Sequence, residues 1–109
     1  MFVVHVGKGD EVVETITREA KVRGVGSAAI TLIGAVESCC VSVMPTADPA
    51  SDILAEYNKP FEMTGTGEIV DGKVHLHTTM GGEDGVVAGH LHWAKVDHWF
   101  VRAYITPLE

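Results

Sequence analysis

"PFEMTGTGEIVDGKVHLHTTM", residues 60–80, turns back on itself at Asp71-Gly72. An Asp-Gly pair between two runs rich in strand formers marks a two-residue hairpin, because both central residues of that turn need positive φ. The run before it, "PFEMTGTGEIV", and the run after it, "KVHLHTTM", are therefore expected to pair antiparallel. The same pattern continues through the loop "GGEDG" at 81–85 to "VVAGHLHWAKV" and "HWFVRAYI". From Phe61 onward the chain has the pattern of a meander.

The first half supplies the partners. Phe2 to Val6 is a short β-rich run ending at Gly7. Asp10 is placed to cap a helix that runs through Arg23 and stops at Gly24. Val12, Val13, Ile16 and Ala20 mark its apolar face, and its charges favour the helix dipole, with Glu11 and Glu14 early and Lys21 and Arg23 late. "SAAITLIGAV" at 27–36 is almost continuously apolar and predicts a buried strand; "ESCCVSV" predicts another. Pro45 to Pro60 breaks the pattern and is expected to be an excursion with one helical turn. The expected fold class is α+β: an antiparallel β-sheet packed against one main α-helix.

The 109 residues are 46% hydrophobic, enough for one core and one domain over 1–109. No apolar run approaches the ~20 residues of a membrane helix. The opening Met-Phe-Val-Val-His-Val has no basic segment or cleavage site of a signal peptide, so the expected location is cytoplasmic. Eight Lys and Arg against fifteen Asp and Glu give a formal charge of −7, and the basic residues are scattered. Phosphate binding needs clustered cations, so the composition argues against direct nucleic-acid binding and suits a metal cation better. The only cysteines, Cys39 and Cys40, are neighbours. They point to opposite faces of a strand and are expected to be small buried hydrophobes in a reducing compartment.

Four of the six histidines form two His-x-His pairs, His75 with His77 and His90 with His92. Residues two apart in a strand share a face, so each pair points one way while Val74, Leu76, Leu91 and Trp93 point to the core. If Glu83-Asp84 closes the hairpin symmetrically, His77 faces His90 and His75 faces His92. The Asp71-Gly72 turn then sets Glu68 opposite His75 and Thr66 opposite His77. All four imidazoles would lie side by side, opposite partners being about 4.5–5.5 Å apart at Cβ. A bulge near Gly81 or Gly89 would break this register. Imidazole groups in such numbers fit a divalent transition metal, zinc first. The candidate ligands are His75, His77, His90 and His92, with Glu68 placed to orient an imidazole or take a proton. His5 and His98 stand apart and are expected to be ordinary surface or interface residues.

"SAAITLIGAV" after the helix, "KPFEMTGTGEIVDGKVHLH" in the middle and "GVVAGHLH" near the end occur in the order of the plants-and-prokaryotes-conserved (PPC) domain, which the chain resembles over nearly its whole length. The resemblance implies a homotrimer of α+β domains. It also implies, as in some prokaryotic members, a metal held by His75, His77 and His90; His92 stands where many members have an aliphatic residue. Plant members carry an AT-hook and use a Gly-Arg-Phe-Glu-Ile-Leu segment to contact transcription factors. This sequence has no AT-hook and keeps only Phe61-Glu62 of that segment.

Three functions are therefore in competition. The first is a trimeric metal-binding domain with a small-molecule or protein ligand. The second is a non-catalytic interaction or regulatory module working with DNA-associated partners. The third is a metal-dependent hydrolase with Glu68 as base.

Overall fold

The computed structural model describes residues 1–108. Its elements are β1 (Phe2–Val6), α1 (Val12–Val22), β2 (Ala28–Val36), β3 (Ser38–Val43), β4 (Ile53–Tyr57), β5 (Phe61–Val70), β6 (Lys73–Gly82), β7 (Gly85–Lys95) and β8 (Val101–Pro107). The strands form one eight-stranded sheet in the order β1-β8-β2-β5-β6-β7-β3-β4, and every neighbouring pair is antiparallel. The α+β expectation holds. Among the described residues, no helix is long and apolar enough to cross a membrane.

The sheet curls. Helix α1 touches both β1 and β7, which stand far apart in the strand order, so only a strongly bent sheet brings them to one helix. The connection from β1 to α1 closes the curl: Gly9 N–H donates to the Val96 carbonyl at 2.7 Å, and Val96 N–H donates to Asp10 at 3.0 Å. The core fills the concave side, where Val12, Ile16 and Ala20 of the helix meet Val4, Ile30, Met63, Leu76, Leu91 and Ile105.

The helix begins one residue later than Asp10 predicts. Glu11 is its cap, accepting from Val13 N–H at 2.9 Å and Glu14 N–H at 2.8 Å. The same carboxylate also accepts from Ala94 N–H of β7 at 2.9 Å. A tertiary contact thus outweighs the usual preference for a short capping side chain, while Asp10 accepts from Gly7 N–H instead. Gly24, at φ 69°, ends the helix as expected. The buried face is Val12, Thr15, Ile16 and Ala20, with Val13 only partly covered.

Two other expectations need correction. The strand β2 is not buried on both sides: Ala28, Ile30 and Leu32 are buried, whereas Ala29, Thr31 and Ile33 are exposed. A single helix covers only one face of an antiparallel sheet, and the other face meets solvent. The excursion after Pro45 makes no helical turn; it forms a short turn at Asp48–Ser51 and then the edge strand β4. Pairing with β3, from Cys39↔Tyr57 to Val43↔Ile53, recruits residues whose acidic and proline flanks hide their strand pattern. Cys39 and Cys40 are both buried and free. Burial, reinforced by the neighbouring thiol, pushes Cys39 up to about 11.

Candidate metal centre

The Asp71-Gly72 turn forms as read, with φ of 51° and 76° at its two residues. It sets the β5–β6 register Val70↔Lys73, Glu68↔His75 and Thr66↔His77. Gly67 lets the two strands approach closely: a Cβ there would run into the His75 carbonyl oxygen and lie 2.8 Å from Leu76 Cδ2. The Glu83-Asp84 turn closes the next hairpin, and the β6–β7 ladder runs from Gly82↔Gly85 to His77↔His90. The first histidine pairing predicted from sequence is present.

The second is not. The β6–β7 ladder ends at His77↔His90, so His75 and His92 are not paired. On its other edge β7 carries a bulge, because Cys40 faces Trp93 while Val41 faces Leu91. His92 is the extra residue. The bulge also reverses the strand beyond it, so that Ala94 takes the core position opposite Cys39. Trp93, expected in the core, lies half-buried on the other face beside Cys40. Leu76 and Leu91 are buried as expected, and Val74 packs partly against the core.

The outcome is a trio and a fourth ring with other business. His75, His77 and His90 bring one nitrogen each within 4.8 Å of the others. Their rings stand at centroid distances of 5.0, 5.0 and 6.0 Å. Among the described residues, none of the three makes a side-chain hydrogen bond to the protein, whereas His92 Nε2 lies 2.8 Å from Ser42 Oγ. His5 and His98 lie outside the group and are exposed; His98 stands 3.6 Å from Glu37.

The trio suits a metal by a simple test. Donors of a tetrahedral zinc site with Zn–N near 2.0–2.1 Å are about 3.3 Å apart, so the rings need only small rotations to close in. His75 and His77 are exposed and free to make them. His90 is held below the ordinary histidine range, first by burial and then by His92, His75 and His77, with Asp52 opposing. A neutral imidazole is the form that ligates. Two depressions flank the trio. One, of about 340 Å³, is lined by Thr66, Gly67, Glu68, His75 and His77. The other, of about 720 Å³, takes in all three histidines together with Ser42, Val43, Met44, Pro49 and Asp52. Phe61 is buried and packs edge-on to Tyr57 at 5.6 Å. It is a packing residue.

Residues 1–108 match the Plants and Prokaryotes Conserved (PCC) domain. The chain belongs to this family. Solved structures with this fold include a metal-containing protein from Archaeoglobus fulgidus, 26% identical, with a TM-score of 0.84 over 99% of this chain and 79% of that one. A protein from Ralstonia eutropha proposed to bind DNA is 22% identical, with a TM-score of 0.84 over 97% and 76% of the two chains. The PPC protein of Pyrococcus horikoshii is 22% identical, with a TM-score of 0.83 over 99% and 78%. At that identity the last two speak to the PCC fold alone. No curated protein matches the chain.

Proposed function

We propose that this PCC domain is a metal-binding protein whose His75, His77 and His90 hold one divalent transition ion, with zinc first in order. The observation that carries the reading is the convergence of three imidazole nitrogens within 4.8 Å, none engaged by the protein among the described residues. The metal-containing relative from Archaeoglobus fulgidus supports it. His92 lies outside the converging set of three, with its Nε2 2.8 Å from Ser42 Oγ. When bound, the ion supplies Lewis acidity and an open coordination position. The chain's own share is to hold three neutral imidazoles on two rigid strands and to flank them with Glu68 and Asp52.

The homotrimer implied by family resemblance belongs to this proposal, as does a ligand that is a small molecule or a protein. Hydrolysis with Glu68 as base is the catalytic version, supported by the Glu68↔His75 register. The interaction module with DNA-associated partners is the alternative and needs no metal.

Elemental analysis of tag-free protein tests the reading beside His77→Ala and His90→Ala. One transition metal per chain, lost in both variants, is the expected result. Wild-type protein that stays metal-free after incubation with zinc and desalting sinks it and favours the interaction module. Light scattering on the same samples reads the number of copies, with three expected.

A further inference from the structure

The connection between β3 and β4 supplies no histidine to the trio, yet it walls the larger depression beside it. Ser42 ties the two regions together: it pairs with His90 across β3–β7 and with Leu54 across β3–β4. Asp52 stands two positions before Leu54, immediately ahead of β4. It lines one cleft of about 720 Å³ with His75, His77 and His90. Glu68 shares its smaller depression with His75 and His77 only.

Two further observations bear on Asp52. Asp52 is exposed, and among the described residues no Lys or Arg forms an ion pair with it. The segment that carries it is also held in shape. Asp48 accepts from Ala50 N–H at 3.0 Å through its side chain and from Ser51 N–H at 3.1 Å through its carbonyl. The pair Val43↔Ile53 then anchors the residue next to Asp52.

We propose that Asp52 is the positioning carboxylate of the histidine site, and that ligands reach the site through the cleft walled by the β3–β4 connection. This rests on the reading that the trio holds a metal. Three neutral imidazoles leave the double charge of a divalent ion uncompensated. A carboxylate across the cleft offsets part of it and offers an acceptor to whatever occupies the open position. Part of the wall is apolar, with Val43 49% and Met44 68% exposed beside Pro49 and Ala88, and Ser42, Thr78 and Thr79 add hydroxyls. The ligand class that fits is a small molecule with an oxygen donor bearing a proton for Asp52 and a short apolar flank.

Competition against a chromophoric chelator measures Zn²⁺ and Co²⁺ affinity for wild type, Asp52→Asn and Glu68→Gln, with the visible spectrum of the Co²⁺ forms recorded. The Asp52→Asn change is expected to weaken affinity by about ten-fold or more and to shift the Co²⁺ bands, while the melting temperature of metal-free protein stays put. The Glu68→Gln change is expected to weaken affinity by less than the Asp52→Asn change does. Unchanged affinity and spectrum in Asp52→Asn, or a larger loss in Glu68→Gln, overturns the assignment while the metal site stands. A wild-type protein that takes up neither ion overturns both, and the titration shows this before any variant is compared.

Discussion

His92 and His90 lie two residues apart on one strand, and their fates differ through a single extra residue. The bulge opposite Cys40 and Val41 brings His92 Nε2 to Ser42 Oγ and leaves His90 Nε2 and Nδ1 to the trio. Replacing His92 with Ala is therefore expected to keep the metal and to cost about 1–3 kcal/mol of stability, since it strands the buried Ser42 hydroxyl. Metal content and denaturant melts measure the two effects separately. His90 makes a second prediction at this scale. Its folded value is depressed, chiefly by burial, so below the ordinary histidine range near 6.5 the unfolded chain binds more protons than the folded one. Stability of metal-free protein is expected to be complete above that range and to fall as pH drops through it. His90→Gln should flatten this part of a pH series of melts; an unchanged slope would place its origin elsewhere. Residue numbers alone revealed that His77 meets His90, because two turns of two residues fix the register. They could not reveal the bulge, beyond which Ala94 and Cys39 pair in the core with no local signal to mark the shift.

Elements were legible where the chain pairs with its near neighbours. The meander from Phe61 onward, the helix and its Gly24 stop, and the one-helix sheet all follow from local patterns. What stayed hidden depends on contacts distant in sequence: β4 exists because β3 offers it an edge, and the helix starts at Glu11 because Ala94 lies opposite. Glu11 serves two elements at once, capping α1 and binding the β7 backbone. Glu11→Ala is expected to cost about 2 kcal/mol, the upper end for a lost cap, in equilibrium urea unfolding. A cost near a few tenths would show that water replaces both contacts. Gly67 joins β5 to β6 in the same way. Gly67→Ala sets a methyl against the His75 carbonyl and Leu76 and is expected to destabilise by about 1–3 kcal/mol. Because it forces apart the strand that carries His75, the variant should also bind metal more weakly than wild type. Full affinity at reduced stability would show that the trio tolerates a shift of its strand.

At the scale of the whole molecule, charge decides which partners are affordable. The chain carries a formal −7, and three of its cations are already occupied. Lys59 pairs with Asp84 at 3.4 Å, Arg23 lies over Phe2 at 4.2 Å, and Arg102 lies over Phe100 at 4.1 Å. Those left over are distributed around the helix, the β1–α1 connection and the strand ends, with no stripe to follow a phosphate backbone. One bound divalent ion per chain would lessen the negative charge without creating such a stripe. The proposed DNA-binding role of the Ralstonia eutropha relative therefore makes a sharp contrast with this surface. Fluorescence anisotropy with a labelled duplex is expected to show no binding at tens of micromolar protein and physiological salt, a concentration within the Kd range of about 10⁻⁴–10⁻⁶ M usual for non-specific binders. Lowering the salt should change this little, because few phosphates can be neutralised at once. Affinity that climbs steeply as salt falls, with a logarithmic slope of about −3 or steeper, would mean that the assembled protein gathers cations which a single chain keeps apart.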